Sequence, residues 1–151
     1  MIIYLHGFNS GGQSQKAAWL RAQLAPVPVF APTYPAHHAR EALRVLRKFI
    51  RRLRRENPHS RTLMLIGSSL GGFWAQRLAP EFGACMVLIN PSMRPDETLA
   101  RHTGRSRNEA TGGETVLTAE DVHALKAHRV EPRNPKVPTR LLLDAQDEYG
   151  E

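Results

Sequence analysis

Two short apolar runs, Thr62–Ile66 and Ala84–Ile89, constrain the fold of this chain more than any other feature of its sequence. Neither run alternates between apolar and polar residues, as a strand with one wet face would. Strands have this continuous apolar character when helices cover both faces of a parallel sheet. Both runs therefore predict central strands of such a sheet.

The rest of the chain alternates β-rich runs with segments of helical apolar spacing, which is typical of parallel strands joined by crossover helices. Pro28 cannot donate a hydrogen bond to a neighbouring strand, so its run is predicted at the edge of the sheet. We expect an α/β fold of one domain over residues 1–151, with a mostly parallel sheet flanked by helices. The predicted strands are Ile2–Leu5, Val27–Phe30, Thr62–Ile66, Ala84–Ile89 and Thr139–Leu143. The predicted helices are Gln15–Leu24, a long basic helix that contains Arg40–Arg55 and ends near Asn57-Pro58, Leu70–Leu78 (closed by Pro80), and a segment from a capping box at Thr118 and Asp121 through His128.

Residues 92–113 follow neither pattern and form a polar, basic stretch that ends in the pair Gly112-Gly113. Stretches of this composition between periodic segments are loops. Loops of this length are commonly functional. We expect a mobile loop or a short lid here.

The formal charge of +7 is concentrated between residues 40 and 55. Leu43, Leu46 and Ile50 recur there at the spacing of an amphipathic helix, so the arginines are expected on its solvent face. Charge patterning alone is weak evidence of a partner, and no helix-turn-helix, RNA-recognition or zinc-finger signature accompanies it. We expect no nucleic-acid partner.

The chain has no run approaching the roughly 20 apolar residues of a membrane span, and its first residues lack the basic region and cleavage site of a signal peptide. Its one cysteine, Cys85, cannot form an internal disulfide. The prediction is a soluble, cytoplasmic protein with no membrane partner, and the oligomeric state is left open. No pair of histidines has the spacing of a helical metal site, so neither a metal nor a cofactor is expected.

Residues Gly67-Ser68-Ser69-Leu70-Gly71 match the GxSxG pattern, with a predicted strand directly before and a predicted helix directly after. In that context the central serine lies on a sharp bend with its hydroxyl exposed, and the glycines leave room for the bend. The spacing predicts Ser69 as a nucleophile and leaves Ser68 as a minor alternative.

The triplet His6-Gly7-Phe8 follows the first strand, where folds with this serine bend supply a second donor to an oxyanion. The backbone amides of Phe8 and Leu70 are the predicted oxyanion donors. The side chain of His6 is expected to be structural and to bond nearby backbone.

A catalytic triad of this kind has the chain order serine, acid, histidine. Asp147 follows the fifth predicted strand and is the preferred acid, with Asp144 as competitor and Glu148 less favoured. All seven histidines precede Asp147. The order of the triad is therefore incomplete within these 151 residues.

Four segments carry a resemblance to a known family: Tyr4–Ser10, Ile66–Gly72, Leu88–Pro91 and Leu141–Glu148. The sequence resembles the small bacterial YqiA-like esterases of the α/β-hydrolase superfamily. The resemblance implies an α/β-hydrolase-like fold with Ser69 and Asp147 in the triad. It also implies a catalytic histidine in a further strand and helix that this chain lacks, so we expect a truncated form; the alternative is substitution by His123 or His128.

These observations predict a serine hydrolase, an esterase or thioesterase that cleaves a small-molecule acyl ester or thioester through an acyl-enzyme at Ser69. The alternative is a catalytically impaired module of the same fold that acts in binding, because no histidine follows Asp147.

Overall fold

The structure of the protein, a computed structural model, describes residues 1–131 and 136–145. Strands and helices alternate along most of this length, as predicted. The strands are β1 (Ile2–Leu5), β2 (Val29–Phe30), β3 (Met64–Ser68), β4 (Cys85–Ile89), β5 (Gly104–Arg107), β6 (Glu114–Leu117) and β7 (Thr139–Leu142). The helices are α1 (Gln15–Leu24), α2 (Ala39–Glu56), α3 (Leu70–Phe82), α4 (Pro95–Thr98, followed by a 3₁₀ turn at Leu99–His102) and α5 (Ala119–Lys126).

In the described residues five parallel strands form one sheet in the order β2-β1-β3-β4-β7. Alternate side chains of its strands point to opposite faces: Ile3 and Leu65 pack in a core with α2 and α3, and Tyr4 and Ile66 pack with α1. Helices therefore cover both faces at β1 and β3, whereas β4 is mostly half-buried and Leu88 is its one buried residue. Both β3 and β4 have two strand neighbours. The predicted fold class and the predicted central strands are confirmed.

The edge position of β2 confirms what Pro28 predicted, since β2 pairs only with β1 among the described strands. Its paired part begins at Val29, later than the predicted start at Val27. A proline directly before the strand offers no amide with which to extend the ladder.

The prediction that Pro80 closes α3 is wrong, because the helix continues to Phe82. Pro80 lies in the last turn and removes one amide there without stopping the helix. Gly83 ends it instead, with φ of +59° and its amide bonded to the Ala79 carbonyl. In α5 the capping box between Thr118 and Asp121 is present as predicted, although the helix ends at Lys126 and not at His128.

The prediction that α2 is amphipathic is confirmed, since Leu43, Leu46 and Ile50 are buried. Its arginines lie outside, and two of them, Arg47 and Arg51, pair with Glu81 of α3. None of the described helices is both long enough and apolar enough to cross a membrane.

Residues 92–113 contain regular structure where the sequence predicted a loop. They include α4, the 3₁₀ turn and β5, which pairs antiparallel with β6. The two strands and the turn between them, residues 104–117, are called the hairpin below. Three of the four residues of β5 are exposed, so backbone pairing with β6 and not burial defines this strand. Because this strand does not depend on burial, its sequence has no apolar pattern from which it could be predicted.

Candidate active site

Ser69 lies at the bend between β3 and α3, with φ of +52° and ψ of −120°, and it is exposed. Positive φ is costly for a residue with a side chain and persists only where the surroundings enforce it. Here the Ser69 amide donates to the Ile89 carbonyl at the end of β4, over 3.0 Å. The Ser69 carbonyl accepts from the amides of Gly72 and Ser92, both at 2.9 Å. Backbone bonds on both sides thus hold the bend.

The glycines of the motif allow the bend because their neighbours are backbone atoms. A Cβ on Gly67 would lie 2.4 Å from the Gly71 carbonyl oxygen, and a Cβ on Gly71 would lie 2.0 Å from that of Leu5. Real Cβ atoms essentially never approach closer than 3.0 Å. The bend therefore packs so closely on itself and on the end of β1 that both positions require glycine.

The loop after β1 lies directly against the bend. A Cβ on Gly7 would be 3.3 Å from the Ser69 Cβ and 3.7 Å from the Leu70 nitrogen. The structure thus brings together the two segments that carry the predicted oxyanion donors, the amides of Phe8 and Leu70. Within residues 1–131 and 136–145 neither amide donates a hydrogen bond to another residue. The N-terminal end of α3, where Leu70 is the first residue, adds the positive end of a helix dipole.

His6 is fully buried, and both of its ring nitrogens bond backbone. Its Nδ1 bonds the Gly7 carbonyl at 2.8 Å, and its Nε2 accepts from the Tyr34 amide at 3.2 Å. Burial lowers the pKa of His6 below its ordinary value, which keeps the ring neutral. His6 therefore shapes the loop, as the sequence indicated.

The side chain of Ser68 bonds away from the bend. Its Oγ accepts from the Lys16 ammonium at 2.9 Å, on the side of the sheet that α1 covers. The Tyr4 hydroxyl also hydrogen-bonds Ser68, and burial raises the pKa of Tyr4. These contacts engage Ser68 and leave Ser69 as the exposed serine of the motif.

Of the candidate acids, Asp147 and Glu148 lie outside the described residues. Asp144 follows β7, and its amide donates to the Asn90 side-chain oxygen at 2.7 Å. Asn90 comes directly after β4, so Asp144 lies at the carboxyl edge of the sheet, the same edge as Ser69. The choice between Asp144 and Asp147 stays a prediction.

The two histidines considered as substitutes are not brought to Ser69. His123 is exposed on α5. His128 lies against Trp74, with ring centroids 6.0 Å apart. Burial, together with the charges of Arg77 and Arg47, lowers the pKa of His128. In the described part of the chain no hydrogen bond joins the Ser69 hydroxyl to a histidine.

One other histidine, His37, contacts Phe8, and its neighbour His38 pairs with Asp121; sequence reasoning missed both contacts. The His37 ring stands edge-on to Phe8, with centroids 5.8 Å apart, and burial lowers the pKa of His37. His38 Nδ1 lies 2.8 Å from a carboxylate oxygen of the buried Asp121. Only the carboxyl-edge position of residues that follow β2 could have indicated this placement. No group of three potential metal ligands occurs among the described residues.

Comparison with known proteins finds relatives of which this chain matches only a part. The sequence profile of a family described as "Uncharacterised protein family (UPF0227)" matches residues 1–151. A UPF0227 protein of Vibrio parahaemolyticus serotype O3:K6 is 30% identical over 109 residues, 70% of this chain and 58% of that relative. A UPF0227 protein of Pectobacterium atrosepticum is 32% identical over 100 residues, 66% of this chain and 55% of that relative. The match thus spans less than two thirds of either relative.

A crystal structure named "Putative hydrolase from Agrobacterium vitis S4" has a TM-score of 0.60 to this chain, at 21% identity. The match covers 94% of this chain and 77% of that one. At this identity the likeness concerns the fold alone. Together with the parallel sheet and its flanking helices, it shows that the fold is α/β-hydrolase-like.

Proposed function

The chain belongs to the UPF0227 family, and we propose that it is a serine hydrolase that cleaves a small acyl ester or thioester through an acyl-enzyme at Ser69. The observation that carries the proposal is the exposed serine at positive φ, with the loop after β1 packed against it. The likeness of its motifs to those of YqiA-like esterases supports the same reaction.

In the proposed reaction the Ser69 oxygen attacks the carbonyl carbon and passes its proton to a histidine base. The carbonyl oxygen becomes an oxyanion, which the amides of Phe8 and Leu70 stabilise. The bond to the alcohol or thiol then breaks, and the leaving group takes the proton from the histidine. Water attacks the acyl-enzyme by the same route and releases the acid. No step requires a cofactor.

The acid and the base complete the proposal. Asp147 orients the histidine. Asp144, which lies at the same sheet edge as Ser69, is the alternative. No described histidine bonds the Ser69 hydroxyl, so the histidine base is not assigned to a described residue. The resemblance to YqiA-like esterases implies that the base lies in a further strand and helix of that family.

The test compares Ser69→Ala with Ser68→Ala, which removes the neighbouring hydroxyl. A fluorophosphonate probe should label the parent and Ser68→Ala in stoichiometric amount and leave Ser69→Ala unlabelled. Hydrolysis of p-nitrophenyl acetate or butyrate by Ser69→Ala should fall at least about 10³-fold, as for loss of a nucleophile. Equal labelling of Ser69→Ala and the parent would remove the claim.

The second candidate is a binding module that keeps the hydrolase-like fold without turnover. The unpartnered Ser69 hydroxyl in the described residues favours it, because a serine without a base is a weak nucleophile. A parent protein that neither takes the probe nor hydrolyses the esters would support this candidate. If the parent is active, Asp147→Asn and Asp144→Asn compared in the same assay identify the acid as the one with the larger loss.

A further inference from the structure

The hairpin contacts the loop after β1, residues 7–12, which is called the oxyanion loop below. The Asn9 side-chain amide donates to Ser106 Oγ of β5 at 2.8 Å. The Asn9 carbonyl accepts from the Glu109 amide at 3.3 Å. The Asn108 side-chain amide donates to the Ser10 carbonyl at 3.0 Å. Three hydrogen bonds thus join segments that lie about a hundred residues apart in the chain.

The turn of the hairpin is shaped for this contact. The Asn108 side-chain oxygen accepts from the amides of Ala110 and Thr111, at 2.9 and 3.0 Å. One side chain therefore folds the turn and also binds the oxyanion loop. A Cβ on Gly11 would lie 3.4 Å from Thr111 Cγ2 and 3.5 Å from the Ala110 Cβ, so the turn also packs directly against this glycine.

The oxyanion loop needs such support because Asn9 has φ of +52°. Asparagine tolerates this region better than most residues, but the conformation is still costly and must be held by its surroundings. Asn9 is neither in a helix nor in a strand. Its carbonyl and its side-chain amide both bind the hairpin, and its side-chain oxygen is buried without a partner among the described residues. The conformation of Asn9 therefore depends chiefly on the hairpin.

We propose that the hairpin positions the oxyanion loop, with Asn9 and Ser106 as positioning residues for the Phe8 amide. Phe8 directly precedes Asn9, so a change in the backbone of Asn9 moves the Phe8 amide relative to Ser69. The inference deepens the proposed function and depends on it for its catalytic consequence. The contact itself is a property of the fold and can be measured without turnover.

Two variants remove the Asn9–Ser106 hydrogen bond of this contact and leave the groups of the other two bonds in place. Ser106→Ala removes one hydroxyl from a half-buried position. Asn9→Gly removes the side chain and leaves a residue that adopts positive φ without cost. Ser106→Thr keeps a hydroxyl and serves as the rescue variant, and Thr103→Ala removes an exposed hydroxyl directly before β5 as the matched control.

The first readout is hydrogen exchange of the full chain, followed by mass spectrometry. Exchange in residues 7–12 should be about five-fold faster in Ser106→Ala and Asn9→Gly, the factor that corresponds to one lost hydrogen bond. Ser106→Thr and Thr103→Ala should match the parent, and peptides from β3 and α3 should not change in any variant. Unchanged exchange of the oxyanion loop, or equal acceleration throughout the chain, would overturn the inference.

The second readout is ester hydrolysis and probe labelling. Because the amide that contacts the oxyanion is displaced only in part, kcat should fall about ten-fold with KM within a factor of two. If the parent is active and both variants keep its kcat, the hairpin does not position the Phe8 amide. If the parent takes no probe while exchange of the loop still accelerates, the proposed function fails and the positioning of the loop stands.

Discussion

Gly71→Ala tests whether the contact between the serine bend and the end of β1 sets the geometry of the site. Gly71 lies in the first turn of α3, so helix propensity alone predicts that alanine stabilises the fold by about 1 kcal/mol. The structure predicts the opposite sign. The new Cβ would stand 2.0 Å from the Leu5 carbonyl oxygen, and that distance must open to at least 3.0 Å.

The opening of about 1 Å must come from the backbone, because the atoms nearest the new Cβ are backbone atoms of Leu5 and His6. Overpacking of this kind costs about 3 kcal/mol at the upper end of its range. After the gain in helix propensity, the net loss in the free energy of unfolding is expected to be about 2 kcal/mol. The same displacement separates Leu70 from the oxyanion loop. A misplacement of about 1 Å can slow reaction about 100-fold, and we expect that loss in probe labelling at Ser69.

Gly83→Ala is the matched control. Gly83 differs from Gly71 in having positive φ, at +59°, and a Cβ there meets nothing within 4 Å. It should lose about 1 kcal/mol from backbone strain and label at the parent rate. Urea unfolding followed by circular dichroism gives both free energies, and gel fluorescence gives both labelling rates. A Gly71→Ala protein that is as stable as the parent and labels equally fast would show that this contact does not set the site.

Two further predictions concern buried groups in the described core. Because the pKa of His6 is lowered in the folded state, only the unfolded chain gains a proton there as the pH falls below about 6.5. Stability should therefore decline from pH 7 to pH 5, and His6→Gln should reduce the slope by up to about 1.4 kcal/mol per pH unit in urea titrations; equal slopes would contradict a buried neutral ring. Trp74 is fully buried and donates from Nε1 to the Ala36 carbonyl at 2.9 Å. Trp74→Phe leaves that oxygen unpaired beside a cavity, so the free energy of unfolding should fall by about 3 kcal/mol in the same titration, and a loss below about 1 kcal/mol would refute this account.

Local signals made the sheet and the serine bend predictable from the sequence. The short apolar runs of β3 and β4 favour central strands of a parallel sheet, and both strands have two neighbours in the structure. A single turn from strand to helix accounts for every residue of the pattern from Gly67 to Gly71. The edge position of β2 likewise followed from one proline, whose missing amide excludes a second strand neighbour.

The hairpin was not predictable, for physical reasons that its two strands illustrate. In β6 the buried Thr115 and Leu117 alternate with exposed residues. This alternation is typical of a strand and could have predicted β6. Its partner β5 is polar on both faces and takes its structure from pairing alone. The bond from Asn9 to Ser106 joins two common residues 97 positions apart. Composition and spacing contain no information on such a contact, and the same holds for the approach of His37 to Phe8.

The strand order gives the hairpin its significance. Phe8 follows β1, Ser69 follows β3 and Asn90 follows β4, so the parallel sheet places all three at one edge. The chain leaves the main sheet after β4, and the hairpin that it then forms binds the oxyanion loop after β1, with β3 between those two strands. The segment must therefore span the position of β3 at the edge where Ser69 stands. A change in the hairpin then acts beside the serine, through Asn9 on the loop that carries the Phe8 amide.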